Sequence, residues 1–544
     1  AGADLRRSSR EQGVAMSEVD VLVIGAGPSG AIVTHTLALQ GFDVLCLEQG
    51  EWVNPSDFPA NHPEWELLIQ QQWHHDPNVR ALPADYPLDV TDSEMRPVMF
   101  NGVGGSSVLF GAQWPRLLPS DFRVRTVDGV AEDWPISYEE LKPFHDEVDR
   151  FIGAAGVGGN PAYPEGLDFP MPPHPLGRGG RRAAAAMNEL GWHWWPGTNA
   201  IVGYKHQTLE PCGRWGTCEF GCPAGAKASF DQIYLPQALQ AGAKLKTGAR
   251  VRQITTEGGR ASGAIWIDRD GKEHRERARI VVVCANGIGT PRLLLMSGGP
   301  ERPEGLANSS GLLGRNLMLH PTSSVIGYYE EDLGSWLGPA GELLQSMEFY
   351  ETRPEHDFVR GAKLVAMPLP GPLNALEIQR ERGFDAVWGE AFHDLVRTHA
   401  GGFLWGAVTE DLPSEDNRVT LHESLTDSDG LPAPKITYRI SDDTRKILRF
   451  CNERMQEIHD TMGATHTVEV PLWIDQPGHL LGTARMGVDP TRSVVDPHGR
   501  SHDVPNLYLA DGSIFVTSGA VNPTSTITAL ALKVARGIAA DAGS

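Results

Sequence analysis

The segment Gly25-Ala26-Gly27-Pro28-Ser29-Gly30 constrains this chain more than any other. It follows the apolar run Val19–Ile24 and opens a stretch of helical character, Ala31–Gln40. A second apolar run, Val44–Glu48, ends on an acid. Strand, glycine turn, helix and strand within about 30 residues make a βαβ unit. In such a unit the first glycine permits the tight turn. The second lets the backbone approach a pyrophosphate, and the third lets helix and strand pack closely. The helix N-terminus then faces phosphate charge. Glu48 closes the second strand, roughly 20 residues on, where a carboxylate can bind ribose hydroxyls. The bland reading is a glycine-rich turn with a solvated Glu48; it leaves the coincidence of strand, helix and acid unexplained. The motif predicts a bound dinucleotide and cannot choose between FAD and NAD, because both carry the same ADP half.

At 544 residues the chain exceeds what one core usually serves, so two domains are expected. A formal net charge of −22 disfavours work on nucleic acid or an anionic membrane surface. No apolar run reaches the roughly 18 residues of a membrane span. Residues 1–15 carry Arg6, Arg7 and Arg10 with no apolar core behind them. They read as disordered or vector-derived rather than as a secretion signal, with Met16 the native start. A cytoplasmic location is expected, with periplasmic delivery through a signal-bearing partner as the alternative.

Further along, residues 51–100 read as a long excursion over the surface or a cofactor. Asn101–Ala112 is a Gly/Ser loop, and Ser137–Gly153 is an acidic amphipathic helix. Residues 154–180, dense in Gly and Pro, read as a linker. Leu245–Ile254 and Ala264–Asp268 alternate like paired strands, and Ile280–Cys284 is a buried strand leading through Asn286–Gly289 into a helix. Arg418–Leu421 and Lys435–Ile440 suit an antiparallel sheet. Leu507–Ala510, then Asn522–Ile538, form a strand and a long apolar helix. The expected class is α/β: a discontinuous Rossmann-like domain with an inserted α+β domain built on an antiparallel sheet. Its first part covers residues 16–150, 225–320 and 478–544; the inserted substrate or cap domain covers 151–224 and 321–477.

The C-terminal portion carries His479-Leu-Leu-Gly482-Thr483-Ala-Arg485-Met486-Gly487, then Ser493-Val-Val-Asp496. Val504 to Phe515, containing Asp511-Gly512-Ser513, and Gly519-Ala-Val-Asn522-Pro523-Thr524 follow. This series resembles the C-terminal signature of the glucose–methanol–choline (GMC) flavoprotein oxidoreductases. Asn101-Gly-Val-Gly104-Gly105-Ser106-Ser107 resembles that family's flavin loop, and Trp134-Pro135-Ile-Ser-Tyr138-Glu-Glu-Leu141 the motif after it. Ala285 to Pro291 and Gly314 to Pro321 match two more. The matches run in order from residue 20 to 538.

The resemblance implies FAD and oxidation of an alcohol by hydride transfer to flavin N5, in an oxidase or a dehydrogenase. It makes His479 the proton acceptor and puts Asn522 in the second position of a His–Asn pair. The chemistry suits both. A histidine titrates near neutrality and can take a hydroxyl proton. An asparagine is no base, but its amide N–H can hold a developing alkoxide. Pro523 and Thr524 would open a helix whose N-terminus favours negative charge on the cofactor. Asp511 and Gly512 take the family's contact near the ribityl and phosphates, and Val251 its backbone contact to adenine. His320 is read as structural. No histidine follows the Gly104-Gly105 loop, where Ser106-Ser107-Val108-Leu109 stands, so non-covalent FAD is expected.

Cys212, Cys218 and Cys222 are clustered in sequence. They are open to three readings: an iron–sulfur cluster as in membrane-coupled sugar dehydrogenases of the family, structural thiols, or a disulfide such as Cys212–Cys218. Those relatives have a second cysteine beside the first; here Gly213 stands there. A cluster would favour a quinone or cytochrome as electron acceptor and a small partner subunit; its absence leaves oxygen open. The segment 212–229 resembles sugar and gluconate dehydrogenases, so a sugar, glycoside or polyol is the expected substrate, with an aryl or other apolar alcohol as the alternative. Trp192, Trp194, Trp195, Trp215 and Trp405 are candidates for sugar stacking, each more simply core or interface packing. A lyase that keeps FAD structurally is the competing class.

Overall fold

The computed structural model describes residues 18–334, 336–369, 371, 388–475 and 477–543. Residues 1–15 and the start at Met16 lie outside the described residues.

The first sheet is built on the βαβ unit. Glu18–Ile24 pairs in parallel with Val44–Leu47 on one side and with Glu273–Val283 on the other. Lys244–Lys246 extends the sheet past Val44–Leu47, again in parallel. Glu273–Val283 is long enough to serve two partners. Its last residues pair in parallel with Leu507–Leu509, and its first half runs antiparallel to Arg260–Ile267, which in turn pairs with Arg250–Glu257. The central strands are solid Val, Ile and Leu because both faces are covered. The helices Pro28–Leu39 and Thr524–Gly543 pack together over this sheet, and Tyr138–Ile152 packs on the latter. Ser137 caps Tyr138–Ile152 in a reciprocal pair with Glu140, and Gly153 ends it in a left-handed conformation.

Two sequence expectations need correction here. Leu245–Ile254 is not one strand. The chain breaks at Gly248, with φ +60°, so 244–246 joins the parallel sheet while 250–257 turns into the hairpin. The alternation of residue types runs straight through this bend and hides it. Residues 154–180 do not end as a linker either, because the helix Gly177–Leu190 begins inside them. A Cβ at Gly179 would lie 2.6 Å from the Phe403 ring, so this glycine serves close packing rather than looseness.

The second sheet has six strands in the order 466–470, 322–328, 402–409, 362–367, 344–346 and 195–196, all antiparallel. One face is covered by the helices Gly177–Leu190 and Asp442–Thr461. Strand periodicity separates the faces: Phe403, Trp405 and Ala407 join the core under the helices, while Leu404, Gly406 and Val408 face a cavity. Arg418–Thr426 and Pro432–Tyr438 pair antiparallel, but in a separate three-stranded sheet whose third member is Asp89–Ser93 from the long excursion. Among the described residues no helix is long and apolar enough to cross a membrane.

Candidate active site

Between the two larger sheets lies a cavity of about 730 Å³, within the usual range for ligand sites. Gly25, Gly27, Pro28, Ser29 and Glu48 line one end. Ser106, Ser107 and Val251 contribute to its wall. His479, Asp511, Gly512, Asn522, Pro523 and Thr524 also line it. Gly30, Gly104 and Gly105 stand behind the wall and shape it. Gly30 packs directly on the Gly25 carbonyl, where a Cβ would overlap it. Gly105, with φ +55°, brings its loop against Gly27, and a Cβ there would lie 2.8 Å from the Gly27 Cα. Two glycine loops thus form one smooth cradle beside the helix that starts at Pro28. The N–H groups of that first turn lack intrahelical partners and can meet phosphate. Glu48 accepts from Ala26 N at 2.8 Å and Gly50 N at 2.9 Å, which fixes its carboxylate and leaves lone pairs for hydroxyl donors. Burial pushes its pKa up, and those N–H bonds oppose the shift. This donor and acceptor set fits the ADP half of FAD.

The far end holds a chain of hydrogen bonds. The Gly519 carbonyl lies 2.7 Å from His320 Nε2. A carbonyl can only accept, so Nε2 carries the proton and His320 Nδ1 is bare. That Nδ1 lies 2.7 Å from His479 Nδ1, which must therefore donate. His479 is left with a bare Nε2, 3.4 Å from Asn522 Nδ2. The assignment requires neutral rings. Burial lowers the His320 pKa to about 4, and burial, then the Lys363 charge, lower that of His479 well below its ordinary value. Asn522 Oδ1 in turn accepts from Lys363 Nζ at 2.8 Å. An alcohol oxygen placed between His479 and Asn522 could donate to the first and accept from the second.

The segment 519–522, which supplies the Gly519 carbonyl and Asn522, is held from behind. Ala520 N donates to the Tyr350 hydroxyl at 2.9 Å, which donates to Asp121 at 2.8 Å. Asp121 is paired with the fully buried Arg360, which also binds Glu410. Asp511 accepts from Asn286 N, Thr290 Oγ1 and Ser513 N, joining two loops at the cavity wall.

His320, read from sequence as structural, touches His479 directly. Its signal was present, since it sits in the family-like segment Gly314–Pro321. Lys363 was missed; its only trace in sequence is a lysine inside an otherwise apolar strand, Ala362–Met367. None of the five tryptophans suggested for sugar stacking lines the cavity. Trp405 is fully buried under the helices, Trp192 packs edge-on against Phe349, and Trp215 is on the outer surface. Trp194 and Trp195 give their indole N–H to Asn188 and the Val157 carbonyl. Trp473 is the cavity tryptophan, tied to Ser324 Oγ at 2.9 Å.

Cys212, Cys218 and Cys222 are free thiols in this structure, so the Cys212–Cys218 disulfide is not formed. Cys212 and Cys222 each accept a backbone N–H, from Arg214 and Ala226, at 3.3 Å. Burial pushes the Cys218 thiol up to about 12. Among the described residues no group of three or more His, Cys, Asp or Glu side chains is arranged to hold a metal ion.

Sequence comparison agrees with this architecture. GMC oxidoreductase family profiles match residues 175–322 and 413–531, and an FAD-binding domain profile matches 18–56. The chain is 42% identical to 2-methyl-1,2-propanediol dehydrogenase of Mycolicibacterium austroafricanum, over 95% of this chain and 94% of that protein. It is 30% identical to the fructose dehydrogenase large subunit of Gluconobacter japonicus, over 96% and 98% respectively. Pyridoxine 4-oxidase from Mesorbium loti shares the fold, with a TM-score of 0.64 at 19% identity over 96% of this chain and 99% of that one. The chain belongs to the GMC oxidoreductase family and is an FAD-binding alcohol oxidoreductase.

Proposed function

We propose that this enzyme dehydrogenates a compact polyol, with His479 taking the hydroxyl proton on Nε2 and Asn522 Nδ2 holding the alkoxide. The observation that carries the reading is the directed chain Gly519 carbonyl–His320–His479, which leaves one nitrogen bare at the cavity. Bound FAD supplies the hydride acceptor. Gly25, Gly27, Gly30 and Glu48 would hold its ADP half, with Ser106, Ser107 and Val251 along the wall. Asp511, Gly512, Pro523 and Thr524 would meet the remainder. We read residues 16–150, 225–320 and 478–544 as the FAD-binding domain, and 151–224 with 321–477 as the substrate domain. Ser106 to Leu109 offer no imidazole for a covalent link, so acid precipitation is expected to release the flavin into the supernatant; flavin retained in the pellet contradicts this.

The polyol assignment draws on two supports. The relatives include a diol dehydrogenase and a sugar dehydrogenase. The substrate-domain wall offers Val365, Met367, Leu404 and Trp473, apolar surface for a short carbon skeleton. Without a tryptophan platform other than Trp473, a small diol suits this wall better than an extended glycoside. The three cysteines are read as thiols that shape the loop at 212–222, and no electron step is assigned to them; iron above about one atom per three chains would overturn this.

The deciding experiment is anaerobic mixing of the FAD-loaded enzyme with vicinal diols, sugars and apolar alcohols, following loss of flavin colour, then adding oxygen or a dye to identify the acceptor. Diols are expected to bleach the flavin fastest. His479→Ala is expected to keep FAD and lose bleaching; a variant as fast as wild type removes His479 from the mechanism. Bleaching by no alcohol would sink the function itself.

A further inference from the structure

Lys363 is fully buried, and its three N–H bonds all have takers. They go to Glu342 Oε2 at 2.7 Å, Asn522 Oδ1 at 2.8 Å and Gln113 Oε1 at 3.0 Å. The strand alternation puts Lys363 on the same face as Val365 and Met367, which line the cavity. Glu342 is equally enclosed and fixed. Its Oε1 accepts from Thr198 N at 2.7 Å, and its backbone is clamped by Asn199, which accepts from Glu342 N and donates to its carbonyl, both at 2.9 Å.

A fold has little use for this pair. A buried salt bridge contributes little net stability, and an apolar pair of similar volume does as well or better. The reason for a lysine here lies in what it touches. The two ends of an amide have nearly the same shape, so packing alone does not choose between them. An ammonium can only donate, so it selects Oδ1 and turns Nδ2 toward His479 Nε2. With the amide reversed, a carbonyl would face the alkoxide and repel it.

We propose that Lys363, anchored by Glu342, is a positioning residue that fixes the Asn522 amide with its N–H toward the reacting oxygen. This rests on the roles given above to His479 and Asn522. The charge also bears on the base: among the described residues, His320 and Lys363 face His479, with Glu342 behind Lys363. His320 is neutral and accepts from His479, whereas the Lys363 ammonium disfavours the imidazolium, so removing the ammonium raises the His479 pKa.

The test is Lys363→Met beside Lys363→Met/Glu342→Gln, which leaves no unpaired charge and keeps an acceptor for Thr198 N. FAD content, melting temperature and the pH dependence of anaerobic flavin reduction are measured for both, with His479→Ala in the same panel. The proposal expects FAD to be retained. It expects kcat to fall roughly 10²-fold in both variants, the effect of losing one oxyanion donor, with KM within about threefold. The acid limb of the profile should move to higher pH in Lys363→Met. A double variant with wild-type kcat would mean that Lys363 serves only charge balance, and overturns the proposal. So would Lys363→Met with unchanged kcat and acid limb. If instead His479→Ala matches wild type, the base assignment fails, whatever Lys363 shows.

Discussion

His320→Phe tests the proton logic of the site directly. In the native protein His479 Nδ1–H donates to His320 Nδ1 at 2.7 Å. The reversed tautomer would set two lone pairs face to face. Losing that bond costs about 1 kcal/mol net, and stranding a buried acceptor about 1–3 kcal/mol more. The sum, roughly 2–4 kcal/mol, holds Nε2 bare in nearly every molecule, since each 1.4 kcal/mol is tenfold. Phenylalanine removes the acceptor and much of this preference. Tautomer release alone costs only about twofold in rate, because half the rings still present a bare Nε2. The greater loss comes when His479 takes the proton. Its Nδ1–H bond then becomes charge-assisted, about 1.5–3 kcal/mol instead of about 1 kcal/mol. The variant forfeits that gain of roughly 0.5–2 kcal/mol, about twofold to thirtyfold. The combined expectation is a flavin reduction rate lower by about four- to sixtyfold, with FAD bound and KM nearly unchanged. Stopped-flow anaerobic mixing over a range of alcohol concentrations separates the two constants. A limiting rate within threefold of wild type, with FAD bound, would refute the reasoning.

Two further outcomes are expected. Because burial and the Lys363 charge both lower the His479 pKa, the base stays neutral well below its ordinary 6.5. The kcat/KM profile should therefore stay flat through pH 6.5 and fall only at lower pH; an acid limb centred at 6.5 or above contradicts the burial argument. Gly30→Ala forces a Cβ into the Gly25 carbonyl, an overpacking of about 3 kcal/mol. It should lower the melting temperature and the FAD content together, and an FAD-replete variant melting with wild type would show that the turn can yield.

The cofactor end was legible because its signals are local. Gly25, Gly27, Gly30 and Glu48 fall within one βαβ unit, where chain geometry and residue type determine each other. His479 and Asn522 were legible for another reason: they sit in a long ordered series of motifs that resembles a family. The break at Gly248 and the helix over Gly177–Leu190 were hidden, because glycine looks the same in sequence whether it bends, loosens or lets a phenylalanine ring come close. The tryptophans carry the same ambiguity, since an aromatic side chain serves a core as well as a binding wall, and for the five suggested ones packing is what the structure shows.

By itself, then, the sequence determined the doubly wound sheet and the dinucleotide loop, and singled out His479 and Asn522 as the candidate pair. Tertiary structure alone decided which nitrogen of His479 is bare and which end of Asn522 faces it. Those choices depend on His320 and Lys363, each 159 residues from the group it orients. Proton position and amide direction are set by the hydrogen-bonding capacity of neighbours in space, and the residue types of His479 and Asn522 are the same for either choice.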